Sequence, residues 1–437
     1  VDDTGAAGFL KEFGLLRTDS GFAGGAPHNA GIEDWLADFD AVRSRSLALA
    51  KPLSAEDQCA QSMPEASPVK WHLAHSTWFF ETLVLKAAGA DYRAFDERYA
   101  FLFNSYYESL GPRHPRPLRG LLTRPSLAEV LAYRAHVDTA LRAWLPRADG
   151  AALALVRLGL QHEQQHQELL LTDVKHLLSQ NPLLPAYSPA PAAVPAEPLP
   201  MRWLGYDGAR VEIGHGGPGF AFDNETPRHP MLLPPYELAS RPVSNAEYLA
   251  FMRAGGYRNA SLWLSDGWAL VQAQGWTAPL YWQDDGSGTP EVFTLHGPQP
   301  WQPDEPVCHL SLYEAAAYAA WAGARLPTEF EWEAAMAGAA PARDGSGPHP
   351  RAPGAGPGLR GLHEVWEWTG SAYGPYPGFR PLADAAEYNG KFMVGQLVLR
   401  GASCATPPGH ARATYRNFFA PAARWQFSGL RLARDAR

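Results

Sequence analysis

The stretch from Asn181 to Pro200 (NPLLPAYSPAPAAVPAEPLP) restricts the fold more than any other part of the chain. Each proline lacks a backbone N–H and fixes φ at about −65°, so neither a helix interior nor a central strand can run through it. An extended, semi-rigid segment of this composition reads as a domain boundary. It divides 437 residues into a first domain over 33–180, a linker over 181–200 and a second domain over 201–437, each long enough for its own core.

Residues 1–32 are Gly- and Ala-rich and read as an N-terminal arm with some helix around Ala6–Leu16. Beyond it the spacing turns helical. Trp35, Leu36, Phe39, Val42 and Leu47 recur on one face up to about Ala50. Ser67-Pro68 reads as an N-cap followed by Pro at the first helical position, opening a helix that runs to about Ala88 and stops at Gly89. Ser126–Ala143 and Ala151–Ser179 complete four helices. Between the second and third lies Tyr106-Tyr107 followed by Gly111-Pro112-Arg113-His114-Pro115-Arg116-Pro117-Leu118-Arg119-Gly120. Its repeated prolines exclude regular helix and leave an ordered loop that gathers two phenols and three arginines, and guanidinium forks suit carboxylates.

The last helix carries His162-Glu163-Gln164-Gln165-His166. Residues four apart share a helix face, so the two imidazoles can grip one metal ion while a third ligand comes from elsewhere. His72 and His75, on the second helix, are both candidates for that ligand. Unabsorbed, the same pattern is a polar helix edge, and it also fits the His-Glu-x-x-His of zinc hydrolases.

The second half changes character. Short runs such as Arg210–Ile213 and Leu232-Leu233 alternate with turns. Helices open at Ser244 and Ser311, each with an acid three residues on, and a third short helix follows Thr328. This is an α+β domain with much irregular backbone.

A net charge of −8 without a Lys/Arg run argues against nucleic acid or an anionic membrane as partner. No apolar run reaches the length of a membrane span and the N-terminus lacks a signal pattern, so the expected location is cytoplasmic. Cys59, Cys308 and Cys404 are too few and too scattered for a disulfide framework. Oligomeric state is not legible.

Two resemblances are specific. The first half resembles the DinB-like four-helix metal domain, whose pattern of one early His and a later His-x3-His-x-Glu is met by His75 and by His162, His166 and Glu168. In the Trp-x-Leu-Ala-His form of the first motif the ligand is the last residue, which implies His75 and leaves His72 as a neighbour. The second half resembles the formylglycine-generating, sulfatase-modifying domain, a variant of the C-type lectin fold. The matching pieces are Arg241–Tyr248, Ala324–Glu333, Val365–Thr369, Leu399–Ser403 and Gly429–Arg431. Thr414 and Phe419 stand where that oxidase carries a copper-binding Cys pair, which argues against formylglycine chemistry.

The two domains in this order look like the ergothioneine sulfoxide synthase family, which includes the closely related selenoneine synthases. The resemblance implies a three-His site for Fe(II) with O2 as co-substrate. It implies hercynine (Nα-trimethylhistidine) as one substrate and a thiol or selenol donor as the other, joined at the imidazole C2. It implies Gln165 and Asn417 as hercynine contacts and Tyr106 or Tyr107 as a proton donor. Another branch binds γ-glutamylcysteine through an Asp after Asn-Trp. Here Asn417-Phe418-Phe419 lacks that contact, so cysteine, another thiol and a selenosugar all stay open as donors. Phe418 and Trp425 suit the quaternary ammonium of hercynine. Arg116 and Arg424 are candidate donor contacts, and Glu168 or Glu81 candidate acceptors for the ligands' spare N–H groups. The rivals are a zinc hydrolase with Glu163 as base and a metal-free binding module. Against the first, Glu163 points to a different helix face from the two histidines.

Overall fold

The computed structural model describes residues 31–89, 91–191, 199–283, 290–336, 347–381 and 389–436. The expected arm, with its helix around Ala6–Leu16, lies outside them but for its last two residues. The chain forms two compact units that are not consecutive in sequence. Unit 1 runs to Leu177 and takes in Gly216–Asn224 and Phe379–Lys391, while unit 2 comprises Leu178–His215, Glu225–Gly378 and the chain from Phe392 onward.

Unit 1 is built on four helices: α1 (Ile32–Ala50), α2 (Val69–Phe79), α3 (Leu127–Trp144) and α4 (Gly150–Ser179). On α1 the buried residues are Trp35, Phe39, Arg43, Ser46 and Ala50, a single stripe at helical spacing. Every residue of α2 is buried, as befits the central helix of a bundle. Its N-cap is Pro68, one residue later than the sequence suggests. Ser67 is spent elsewhere: its N–H donates to Asp173 at 2.8 Å and its hydroxyl accepts from Arg119. Past Phe79 the helix widens into a π turn over Phe80–Leu85 and stops at Gly89, whose φ of 146° is open to glycine alone. Ser126 caps α3 in a box with Glu129. The Pro-rich loop holds two short 3-10 turns, Glu108–Leu110 and Arg116–Leu121, and no α-helix.

Unit 2 is α+β. Its strands are β1 (Trp203–Tyr206), β2 (Ala209–Ile213), β3 (His229–Leu233), β4 (Tyr236–Ala239), β5 (Trp282–Gln283), β6 (Glu291–Thr294), β7 (Gly297–Pro300), β8 (Trp366–Ala372), β9 (Leu397–Gly401), β10 (Asn417–Phe419), β11 (Ser428–Leu430) and β12 (Ala433–Asp435). They make four small sheets, ordered β1-β4-β12, β2-β3, β5-β6-β7 and β10-β9-β8-β11, with β11 parallel to β8. The helices are α5 (Asn245–Arg253), α6 (Ser265–Gln274), α7 (Leu312–Trp321) and α8 (Glu329–Ala335). Ser244, Ser311 and Thr328 close capping boxes at the starts of α5, α7 and α8. The sequence does not announce α6, because Gly267 sits in its first turn. The glycine is there for close packing: a Cβ at that position would lie 2.7 Å from the Tyr313 ring of α7. Buried ion pairs, Arg400 with Glu329 and Glu333 and Arg431 with Glu367, tie the sheets and helices together inside this unit.

The described part of the Pro-rich stretch, 181–191, contains neither helix nor strand. The backbone N–H groups of Tyr187 and Ser188 both donate to Leu295 O, so this part of the stretch packs as a piece of unit 2.

Candidate metal centre

The face of α4 that bears His162 and His166 meets His75 on α2. One ring nitrogen from each of the three lies within 4.8 Å of the others, and all three residues are buried. Ring centroids are 5.0 Å apart for His75 and His162, 4.7 Å for His75 and His166, and 4.6 Å for the i, i+4 pair. Aromatic walls hold the rings. Trp71 stacks on His75 at 4.6 Å and Trp78 stacks on it at 5.6 Å, while Phe79 stacks on His162 at 4.9 Å.

Burial keeps these imidazoles neutral. It pushes His75 well below the usual histidine range, reinforced by the neighbouring His162, and His166 likewise. His162 is pushed down by burial to about 4. Near neutral pH each therefore presents a lone pair, the form that ligates a metal. The hydrogen bonds say which nitrogen presents it. Phe103 O accepts from His75 Nδ1 at 2.6 Å, leaving Nε2 for the centre. His166 Nδ1 lies 2.8 Å from His72 Nδ1, and His72 Nε2 lies 3.0 Å from the Asp173 carboxylate. A donor set of three nitrogens in a buried, aromatic-walled pocket fits a divalent transition metal such as Zn²⁺ or Fe²⁺.

His72 is thus a partner of His166 and stands outside the three-histidine cluster. Glu81, expected as a possible acceptor beside the histidines, faces away: its oxygens take the hydroxyls of Tyr92 and Tyr133 and the N–H of Phe95. His72, backed by Asp173, and the Phe103 carbonyl fill that role, and sequence reasoning missed both Asp173 and Phe103. The signal for Asp173 was present, since it lies seven residues beyond His166 and so on the same helix face.

Glu163 occupies another face of α4. Its carboxylate accepts from Arg43 at 2.9 Å, from Ser46 at 2.5 Å and from Arg134. Burial opposes its charge, but Arg134 and Arg43 outweigh the burial and hold it down at about 2. A carboxylate locked in this way is no general base, and the zinc-hydrolase alternative fails on it.

The loop after α2 brings the phenols beside these aromatic walls. Tyr107 is buried and packs on Trp78 and Phe79, the rings that stack on His75 and His162. Tyr106 is half-buried, accepts from Arg116 at 2.7 Å and lies under the Arg113 guanidinium. The ammonium of Lys391, within unit 1, donates to Tyr106 O and stands 5.5 Å from the Tyr107 ring centroid. Arg119 is buried over Trp71 at 3.4 Å and donates to the hydroxyls of Ser67 and Ser105. Among the described residues no carboxylate pairs with it, and burial, with Arg116 adding to it, pushes it down to about 9. Gln165 is half-buried on α4 between His162 and His166.

The other expected site residues belong to unit 2. Asn417 opens β10, and its side-chain oxygen accepts from the N–H of Phe418 at 2.9 Å. Phe418 stacks on Tyr373 at 4.1 Å. Trp425 is half-buried beside Phe419, its indole N–H without a hydrogen-bond partner among the described residues. Arg424 is committed to the core of its unit: it pairs with Glu314 at 3.0 Å, donates to Ala278 O and lies over Trp276. Thr414, at one of the absent cysteine positions, donates to Glu225 at 2.6 Å.

Comparison with known proteins agrees with both halves. Residues 38–170 match the DinB superfamily, and residues 206–348 and 355–436 match the sulfatase-modifying factor enzyme 1-like domain. The fold is accordingly a DinB-like helical domain followed by a C-type-lectin-like domain of the sulfatase-modifying type. The chain is 35% identical to the hercynine oxygenase of Mycolicibacterium thermoresistibile, covering 94% of this chain and 96% of that protein. It is 34% identical to the hercynine oxygenase of Mycolicibacterium smegmatis, covering 92% and 98%. The formylglycine-generating enzyme of Streptomyces coelicolor is 32% identical over 35% of this chain and 54% of its own length. Fold and relatives together define an enzyme of the oxidoreductase type. The chain belongs to the hercynine oxygenase family.

Proposed function

We propose that this chain is a non-heme Fe(II)- and O2-dependent synthase. In this reading it joins a chalcogen donor to the imidazole C2 of hercynine, either as ergothioneine-type C–S bond formation with sulfoxidation or as selenoneine-type C–Se bond formation. The carrying observation is the convergence of three buried, neutral histidines in a chain aligned almost end to end with hercynine oxygenases. Held by His75, His162 and His166, Fe(II) supplies redox chemistry with O2 and open positions for the substrate groups.

The chain's own residues divide the remaining work. Gln165, on the turn between two ligands, holds hercynine by its amide. Tyr107 supplies the proton: a phenol of pKa about 10 gives one up only to a strongly basic oxygen, and its packing on Trp78 and Phe79 supports it over Tyr106. Tyr106 is held by Arg116, and its role is to position that arginine. Arg119 and Arg116 receive the carboxylate of a substrate, since a buried guanidinium with no acid partner is stabilised by an incoming anion. Trp71, Trp78 and Phe79 exclude water from the histidines.

The test is direct. Protein purified anaerobically and loaded with Fe(II) should consume O2 when hercynine is supplied with a donor. Competition among cysteine, γ-glutamylcysteine and a selenosugar then identifies that donor by product mass. Tight zinc, with no O2 uptake for any donor, would sink the reading.

A further inference from the structure

We infer that His72 and Asp173 are positioning residues that hold His166 in one tautomer and strengthen it as a metal ligand, an inference that rests on the three-histidine site proposed above. A contact of 2.8 Å between two imidazole Nδ1 atoms requires one proton, and only one, between them. Asp173 decides on which side it lies. Its Oδ2 is 3.0 Å from His72 Nε2 and also accepts the Ser67 N–H at 2.8 Å. An acceptor carboxylate demands a proton on His72 Nε2. His166 has its Nδ1 against His72 and only Nε2 left to ligate, so as a ligand it carries its proton on Nδ1 and His72 Nδ1 accepts. The shared proton therefore belongs to His166 Nδ1, and the lone pair of His166 sits on Nε2, facing His75 and His162. A residue two hydrogen bonds away thus selects the ligating atom.

The three residues are built for this alignment. Asp173 lies seven residues after His166 on α4, and His72 three residues before His75 on α2, so ligand and support share a face on each helix. Asp173 and His72 are both buried, which shields the chain of contacts from competing water. His75 has a different support, the neutral carbonyl of Phe103. Support by an imidazole backed by a carboxylate makes a ligand more basic than support by a carbonyl, and His166 is therefore a stronger donor than His75.

Co(II) is the probe, because its visible spectrum reports ligand strength and geometry. The chain of residues 1–437 should bind it, with affinity read by chelator competition. Asp173→Asn keeps an oxygen for both donors and removes the charge. It should weaken Co(II) about 10–100-fold and shift the visible bands, with the melting temperature of the metal-free protein held. His72→Phe removes the acceptor and should lose more. His72→Asn places an amide oxygen where Nδ1 stood, so it should recover most of what His72→Phe loses. Wild-type affinity and spectrum in both Asp173→Asn and His72→Phe would overturn the inference. So would a metal-free melting temperature that falls in step with affinity in every variant, which would mark a packing role. No Co(II) uptake by the wild-type chain would instead remove the three-histidine reading itself.

Discussion

Arg43 and Glu163 meet 2.9 Å apart in the interior of the helical bundle, both at 1% exposure. The contact joins α1 to α4 beside the three-histidine cluster but directed away from it, with Arg134 completing the pair from α3. Glu163→Gln would leave the buried Arg134 without a carboxylate partner among the described residues and Arg43 with Asp138 alone, and breaking such a pair from one side costs about 3–5 kcal/mol. The expected outcome is a large fall in the denaturation midpoint with metal uptake retained. Lost metal at unchanged stability would restore Glu163 to the site.

Acid should act on the same residue. The folded carboxyl, at about 2, lies below its unfolded value, so its stabilisation is complete above about 4.5 and fades as pH falls from there toward 2. His162, depressed to about 4, has the same sign: its contribution is complete above about 6.5 and fades as pH falls toward 4. Denaturant midpoints of the metal-free protein should hold from pH 7 to 8 and decline in two stages below 6.5. A midpoint that rises on acidification would contradict both assignments.

His162→Ala removes one of three ligands and should abolish stoichiometric metal while the bundle stays folded. Metal analysis beside circular dichroism checks it. Full retention of metal would mean that the ion lies elsewhere.

Tyr107→Phe and Tyr106→Phe should behave differently. Both keep the metal. Tyr107→Phe should redirect the products formed from hercynine and O2, whereas Tyr106→Phe should raise KM for the donor through its loss of grip on Arg116. Identical product profiles in wild type and Tyr107→Phe would take that phenol out of the mechanism.

Gly159→Ala sets two effects against each other. Alanine in a helix interior gains about 1 kcal/mol over glycine. Here its Cβ would lie 2.6 Å from one Phe80 ring atom and 2.9 Å from Phe79, and overpacking of this kind costs about 1–3 kcal/mol. Steric cost should win, and because Phe79 stacks on His162, metal affinity should fall too. A stabilised variant with intact metal binding would show that the rings yield freely.

Much of this was legible beforehand, because the signals are local. Helical spacing marked α1, an N-cap and a closing glycine marked α2, and capping boxes marked α5 and α7, since all depend on residues a turn or so apart. The i, i+4 spacing of His162 and His166 and the motif around His75 marked, for the same reason, the three histidines that the fold brings together. What stayed hidden depends on contacts distant in sequence. Asp173 looks like any helix-surface acid until His72 is seen beside it. Arg119 reads as one of three loop arginines until Trp71 and the absence of an acid partner among the described residues set it apart. Glu81 looked available beside the histidines, but the π turn over Phe80–Leu85 lies where it does, and Tyr92 and Tyr133 claim it.

The membership of unit 1 has a consequence for how such a protein can be cut or recombined. Phe379–Lys391 and Gly216–Asn224 group with the bundle, and an Asn389–Asp223 hydrogen bond joins these two late stretches within it. A gene fragment ending at the Pro-rich stretch would encode all three histidines yet omit Lys391, the cation beside Tyr107. The halves are not interchangeable cassettes. A bundle swapped in from a relative would arrive without its own late segments and would have to accept those of its new host.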